Sequence, residues 1–248
     1  MSLVYFDVGN TRAKWSLVDG GESVFGVLSL GSESPDVEAM LAITRTARKV
    51  MISSVKDPCA IVQLTTAISE AWGVEASFAC TRPEQRGLIC SYEDPSRLGV
   101  DRWLAMLAGR DRVAGAFCVI DCGSAVTIDV VASDGAHIGG YILPGLQLGV
   151  SALLGGTDQV IVDCDNFAIA SLEFGRNTTD AVYNGALFGL KSSVEAALSQ
   201  ALLVVDTGPC SLLLTGGDGA LLSGLIHPES VYIENLVLDG LKLYFDSE

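Results

Sequence analysis

Asp7-Val8-Gly9-Asn10-Thr11-Arg12-Ala13-Lys14 follows a short apolar strand, Leu3-Val4-Tyr5-Phe6, and the fold is read outward from it. A related stretch, Asp121-Cys122-Gly123-Ser124-Ala125-Val126-Thr127, follows a second apolar strand, Phe117-Cys118-Val119-Ile120. Both have the form apolar strand, Asp-x-Gly, small hydroxyl or amide residues, then another strand, so the chain carries an internal repeat. Glycine lets the backbone turn sharply and come close to a ligand. Successive N–H groups in such a turn form an anion-binding concavity. Asn10 and Thr11 add donors, Lys14 adds a positive charge within reach of a phosphate, and the aspartates offer oxygens to a divalent cation. Two ordinary hairpin turns would also use Asp and Gly. Recurrence in matching contexts favours two phosphate loops facing each other across a cleft.

Around each loop the pattern repeats in order. Strands are predicted over Leu3–Phe6, Ala13–Val18 and Ser23–Leu30, with Asp19-Gly20-Gly21 as the hairpin turn. A helix follows from Asp36 to about Ala47, then a strand over Lys49–Val55, a helix over Ala60–Trp72 ended by Gly73, and a strand over Val74–Ala79. Thr81–Gly99 is mostly turn residues, and Asp101–Gly109 is a helix with Trp103, Leu104, Leu107 and Ala108 facing inward. The second half has strands over Ala125–Ala132 and His137–Leu143 and a helix from about Leu146 to Leu154. A long helix over Thr179–Val204 follows, with Val182, Ala186, Phe188, Leu190, Val194 and Leu198 as its apolar positions. A strand at Leu212–Thr215, a short helix, a strand around Val231–Ile233 and a terminal helix complete the chain. Three antiparallel strands and then alternating helices and strands, twice over, predict an α/β protein. It has two ribonuclease-H-like domains with mixed sheets, residues 1–114 and 115–248, and an interdomain nucleotide cleft.

A chain of 248 residues can bury a core of this size without disulfide or metal staples. Its net charge of −15 argues against nucleic acid, whose binding needs phosphate-neutralising basic patches. Seven cysteines, an odd number with no Cys-x-x-Cys pair, and two histidines argue against zinc and against a disulfide framework. Most of the cysteines sit in apolar runs and are expected to be buried and reduced. The uncharged stretch from Gly135 to Thr157 is long enough to span a bilayer, but it contains Pro144, Gln147, His137 and seven glycines and lacks basic flanks. It suits buried structure or a subunit contact. Asp7 interrupts the opening apolar run, so no signal peptide is predicted, and the expectation is a cytoplasmic protein without a membrane partner.

Two further motifs bear on chemistry. Thr215-Gly216-Gly217-Asp218 follows a strand, and its glycines would let adenine or ribose lie against the backbone; a strand-to-helix turn capped by Asp218 would look the same. Gly99-Val100-Asp101-Arg102 opens a helix. Asp101 could accept a hydroxyl proton while Arg102 binds an anionic substrate, or it could simply complement the helix dipole. The dipole would weaken it as a base, which phosphoryl transfer tolerates because positioning and charge stabilisation supply most of the rate. No Walker-type P-loop occurs, and no Gly-x-Gly-x-x-Gly follows a strand.

Six stretches in order carry a family resemblance: Asp7 to Lys14, Tyr92-x-x-Pro95-x-x-x-Gly99-Val100-Asp101-Arg102, Asp121 to Thr127, Gly139 to Gly145, Asn177-Thr178 and Thr215 to Asp218. Together they closely resemble the type III pantothenate kinases, members of the acetate kinase, sugar kinase, Hsp70 and actin superfamily. The resemblance implies ATP-dependent phosphorylation of pantothenate to 4'-phosphopantothenate, the first step of coenzyme A biosynthesis, by a homodimer. It implies that Asp7, Val8, Gly9, Asn10, Thr11, Arg12, Ala13 and Lys14 hold the ATP phosphates, with Asp7 near Mg2+. Ser124, Gly216 and Gly217 would also touch ATP. Asp101 would be the catalytic base, and Tyr92, Gly99, Val100, Asp101, Arg102 and either Thr178 or Thr179 would bind pantothenate. Asp121 would hold a monovalent cation, K+ or NH4+. Counting forward from each aspartate puts Ile128 where the first loop has Lys14, which leaves the phosphate-binding charge to the first loop. A non-catalytic ATP- or pantothenate-binding regulator on the same fold is the alternative, and a sugar kinase or actin-like ATPase a third. The intact Asp7, Asp101 and Asp121 argue against the regulator, and the Gly99–Arg102 motif against the other two.

Overall fold

A computed structural model of the chain describes residues 2–10, 12–29, 46–56, 58–157, 159–162, 170–205, 208–226 and 230–246. Thr11 and the helix expected from Asp36 lie outside the described residues. The strands are β1 Leu3–Val8, β2 Arg12–Asp19, β3 Glu22–Ser29, β4 Lys49–Ser54, β5 Ala76–Phe78, β6 Glu84–Gln85, β7 Leu88–Ile89, β8 Phe117–Cys122, β9 Ala125–Val131, β10 His137–Pro144, β11 Ser211–Thr215 and β12 Val231–Tyr232. The helices are α1 Pro58–Trp72, α2 Val100–Arg112, α3 Leu146–Gly155, α4 Thr178–Val204, α5 Gly219–Ser223 and α6 Leu236–Phe245. The chain forms two compact units, Met1–Arg112 with Asn235–Glu248, and Val113–Glu234.

In the first unit the sheet order is β3-β2-β1-β4-β5. β1, β2 and β3 are antiparallel neighbours, and β4 and β5 run parallel to β1. The β2–β3 hairpin closes on Gly20 and Gly21 at φ 61° and 91°, the two positive values that a tight hairpin turn needs. Alternation along the strands sends Val4, Phe6, Val8, Ala13, Trp15, Leu17, Val50 and Ile52 to one face, where they pack with Ile61, Leu64 and Ile68 of α1. Gly73, at φ 65°, ends α1 as its sequence predicts. The opposite parity, Tyr5, Asp7, Lys14, Ser16, Met51 and Ser53, lies on the other face.

The terminal helix α6 packs on α2 so closely that a Cβ at Gly240 would fall 1.9 Å from the Leu104 carbonyl oxygen. Gln85 Nε2 donates to the Tyr244 carbonyl at 3.0 Å, Arg82 Nε donates to the Tyr244 hydroxyl at 2.9 Å, and Arg112 pairs with Asp239 at 2.7 Å. Residues 235–248 therefore group with the first unit, whereas a division read in chain order put them in a second domain from 115 to 248. The return of α6 rests on its apolar stripe, Leu238, Leu241 and Tyr244, all buried, and on a glycine that lets two helices touch.

The second unit repeats the first. Its sheet order is β10-β9-β8-β11-β12, with β8, β9 and β10 antiparallel and β11 and β12 parallel to β8. The α/β class with two ribonuclease-H-like mixed sheets is thus what the structure has. Val194, Ala197 and Ala201 of α4 pack with Cys118, Ile120, Val126 and Leu214 of the sheet. Phe188, one of the apolar positions of α4, is 61% exposed, as are Leu202 and Leu203 at 60% and 77%. Among the described residues α4 is the one helix long and apolar enough to cross a membrane, at 27 residues and mean hydropathy 1.2. Its buried side belongs to the core just described. Of the cysteines whose burial is described, only Cys118 and Cys122 are buried; Cys90 and Cys210 are half-buried and Cys80 is exposed. The three that are not buried, Cys80, Cys90 and Cys210, lie outside the strands, whereas Cys118 and Cys122 lie within β8.

Candidate active site

The first loop joins β1 to β2. Its turn is closed by the Gly9 N–H donating to the Arg12 carbonyl at 3.0 Å. Antiparallel register sets Asp7 opposite Lys14, and parallel register sets Asp7 beside Ser53, so one row across the sheet reads Lys14, Asp7, Ser53. Asp7 and Lys14 are half-buried. Val8 and Ala13 are fully buried in the core, so within the predicted phosphate loop they can offer a ligand backbone groups only. Asn10 and Arg12 are exposed.

In the same unit, α2 opens at Gly99, whose carbonyl accepts from the Trp103 N–H at 3.1 Å. The Asp101 carboxylate folds back over this turn, accepting from the Arg102 N–H at 2.8 Å. A Cβ at Gly99 would lie 2.6 Å from Asp101 Oδ1, so glycine is what leaves room for that carboxylate. Arg102 is 5% exposed, an uncommon burial for a guanidinium, and it donates from Nη1 to the Tyr92 hydroxyl at 3.1 Å. Tyr92 is held by a turn that the sequence leaves irregular: Asp94 caps a short 3-10 helix, Pro95–Arg97, by accepting from the Ser96 N–H. The Thr81 hydroxyl ties the Leu98 carbonyl at 2.8 Å, and the β6–β7 ribbon fills the same stretch. Tyr92, Gly99, Asp101 and Arg102 are therefore brought together; Val100, 9% exposed, turns its side chain inward.

The second unit holds the other loop. Here the Gly123 N–H donates to the Ala125 carbonyl at 3.1 Å. Three residues separate the paired Cys122 and Val126, against four between Val8 and Ala13, so this turn is one residue shorter. Asp121 consequently pairs with Thr127, and Thr127, not Ile128, occupies the place of Lys14. Ile128 is 1% exposed and lies in the core. The second loop still lacks a positive charge at that place.

Two glycines close over this loop. A Cβ at Gly145 would meet the Gly123 carbonyl oxygen at 2.3 Å, and the Gly145 N–H donates to the Ser124 carbonyl at 3.0 Å. Gly216, at φ 87°, would put a Cβ 2.5 Å from Asp121 Oδ1 and from the Cys122 carbonyl. The Asp218 N–H donates to that same Cys122 carbonyl at 3.1 Å. Asp218 stands at the N-cap of α5, yet its side chain makes no capping bond, and burial raises its carboxyl above the usual carboxylate range. Burial first, then the charges of Asp121 and Asp218, push the Cys122 thiol up to about 12. Gly217 is exposed with nothing near a prospective Cβ, so it can face a flat ligand.

A cavity of about 900 Å3 in this unit is lined by Pro144, Gly145, Arg176, Asn177 and Thr178, with Val150, Val182 and Leu190 among its apolar walls. Asn177 caps α4, accepting from the Asp180 N–H at 2.8 Å while its amide donates to the Asp180 carboxylate at 2.7 Å. That cap sets Thr178 on the cavity wall; Thr179 is not part of the lining. Among the site residues, Gly145 was present in the sequence only as part of a longer motif, and Ser53 carried no motif at all.

The family pattern described as type III pantothenate kinase matches residues 3–200. A type III pantothenate kinase of Alcanivorax borkumensis is 37% identical over 243 residues, which cover 97% of each chain. Among solved structures, a Baf family transcriptional activator from Campylobacter jejuni has a TM-score of 0.61 at 21% identity, with 98% of each chain covered. A 2-dehydro-3-deoxygalactonokinase assignment from Sinorhizobium meliloti also has a TM-score of 0.61, at 15% identity, covering 99% of this chain and 96% of that one. These two show a shared fold.

Proposed function

The chain belongs to the type III pantothenate kinase family, and from that premise we propose that it transfers the γ-phosphoryl group of ATP to the primary hydroxyl of pantothenate, the first step of coenzyme A biosynthesis. The observation that carries the residue assignment is the Gly99–Arg102 turn. Its carboxylate sits on the first turn of a helix beside a buried arginine bound to a tyrosine hydroxyl. Such an arginine suits a carboxylate such as pantothenate's, which it can hold by charge-assisted hydrogen bonds. Asp101 then takes the hydroxyl proton as the oxygen attacks the γ-phosphorus, and the bond to the bridging oxygen breaks to release ADP. Thr178, on the cavity wall of the second unit, is the threonine read as a pantothenate contact.

On this reading the loop from Asp7 to Lys14 receives the ATP phosphates on its N–H groups and on Lys14. In the second unit, Ser124, Gly216 and Gly217 are read as nucleotide-contacting residues. Mg2+ favours one or two carboxylates together with phosphate oxygens and retained water. Asp7, a half-buried carboxylate beside a buried hydroxyl, fits that preference. When bound, Mg2+ supplies charge for the phosphoryl oxygens. Asp121, whose Oδ1 lies 2.5 Å from a prospective Cβ at Gly216 as does the Cys122 carbonyl, fits a monovalent cation such as K+ or NH4+, for which carbonyl oxygens can replace hydration. The active form is a cytoplasmic homodimer. Its support is exposed apolar surface on α4 and β10, including Phe188, Leu203, Tyr141 and Ile142, more than solvation alone favours.

Purified protein with ATP, Mg2+, K+ and pantothenate should yield phosphopantothenate by mass spectrometry. Asp101→Asn should lose about 10²–10⁴-fold in kcat with ATP binding intact. No phosphopantothenate from the unsubstituted protein refutes the activity, and full turnover by the variant refutes the base.

A further inference from the structure

Ser53 and Ser54 are adjacent on β4 and meet different fates. Ser54 Oγ accepts from the Lys56 N–H at 3.1 Å and shapes the strand end. Ser53, on the opposite parity, is 0% exposed, and its hydroxyl makes no hydrogen bond. A buried hydroxyl without a partner forfeits its hydration with nothing in return, so its occurrence calls for an explanation. Its place supplies one: parallel register sets it directly beside Asp7, in the row that continues to Lys14. Parallel neighbours on one face are close enough for a hydroxyl and a carboxylate to bond after a change of rotamer. The second unit repeats the placement but not the missing partner. There Thr215, 2% exposed on the parallel neighbour β11, sits directly beside Asp121 while its hydroxyl donates to the Glu234 carbonyl at 3.4 Å. Each unit thus sets a small buried hydroxyl beside its loop aspartate.

We propose that Ser53 is a positioning residue for phosphoryl transfer: its hydroxyl donates to the Asp7 carboxylate when magnesium nucleotide binds and holds that carboxylate toward the metal. The inference rests on the kinase reading of the first loop. A carboxylate that accepts a hydrogen bond on one oxygen keeps a fixed orientation for the other, and partners of this kind are worth about 10–100-fold in metal affinity or activity.

The test measures Mg2+–ATP binding by calorimetry, beside thermal unfolding of the ligand-free protein. Ser53→Ala should leave the ligand-free melting temperature unchanged or higher, because it removes an unpartnered buried hydroxyl. It should weaken Mg2+–ATP binding by about tenfold or more, with pantothenate affinity unchanged. In an Asp7→Asn background the same substitution should have no further effect on binding, since the hydroxyl would act through Asp7. Ser53→Cys, nearly the same size and a weaker donor, should fall between serine and alanine and serves if the alanine variant does not fold. Wild-type Mg2+–ATP affinity in folded Ser53→Ala or Ser53→Cys overturns the proposal, as does an equal loss in the Asp7→Asn background. Absence of Mg2+–ATP binding by the unsubstituted protein instead refutes the kinase reading on which the proposal stands.

Discussion

Replacing Gly216 by alanine puts two separate costs on one residue, and both can be worked from the structure. The first is conformational: φ is 87°, a region where a Cβ costs roughly 1–2 kcal/mol. The second is steric: the new Cβ would stand 2.5 Å from the Cys122 carbonyl and from Asp121 Oδ1, inside any real contact distance. A side chain could swing away, but the Cys122 backbone is part of β8 and paired to β9, so the sheet end must shift. Overpacking of that kind costs about 1–3 kcal/mol. Together the two give about 3 kcal/mol, and at roughly 2–4 °C per kcal/mol in a chain of this size the melting temperature should fall by about 6–12 °C. On the proposed cation role of Asp121, displacing it should also raise the K+ concentration needed for activity. Gly217→Ala is the control: nothing lies within 4 Å of its prospective Cβ, so stability should stay within about 0.5 kcal/mol. Differential scanning calorimetry and a K+ titration read both effects. Equal melting temperatures and equal K+ dependence for Gly216→Ala and the unsubstituted protein would refute the reasoning.

Gly240→Ala should be at least as damaging, about 3 kcal/mol or more, because the carbonyl 1.9 Å from its Cβ belongs to a helix backbone that cannot yield; urea unfolding followed by circular dichroism measures it. On the proposed homodimer, Phe188→Asp should shift the protein to monomers in analytical ultracentrifugation while leaving the monomer fold intact, since the ring is 61% exposed. Cys122 should escape iodoacetamide at pH 8 in the native protein and react once unfolded, as peptide mass spectrometry would show. Its folded thiol is pushed up to about 12, above the ordinary thiol value, so the folded state holds a proton that the unfolded chain releases. Ionisation of Cys122 therefore opposes folding, and its contribution to stability is lost as pH rises from the ordinary thiol range toward 12.

The regular elements were legible because their signals are local. Alternating apolar residues beside Asp19-Gly20-Gly21 specify a hairpin with period-two side chains and positive-φ glycines, and the repeat at Asp121 carries the same information again. The Gly99–Arg102 turn was legible for the same reason, since a glycine, a helix start and an acid–base pair occupy four consecutive positions. Thr178 and Thr179 could not be told apart in the sequence. A helical turn gives neighbours different directions, and the Asn177 cap is what sets Thr178 on the cavity wall.

By itself the sequence determined two copies of a strand–loop–strand unit, the glycines their turns need, and the absence of a positive charge in the second loop. Only the tertiary structure decided which distant segments close on those loops. Gly145 and Gly216 press on residues 121–124 from just beyond the ends of two other strands, and Ser53 stands beside Asp7 through parallel pairing across a long connection. Residues 235–248 return to the first unit because Gly240 lets α6 touch α2. The single residue by which the second turn is shorter moved Thr127 into the place of Lys14, and only the register of paired strands reveals that shift. Local propensity fixes each element's own geometry; register and close approach depend on partners far along the chain.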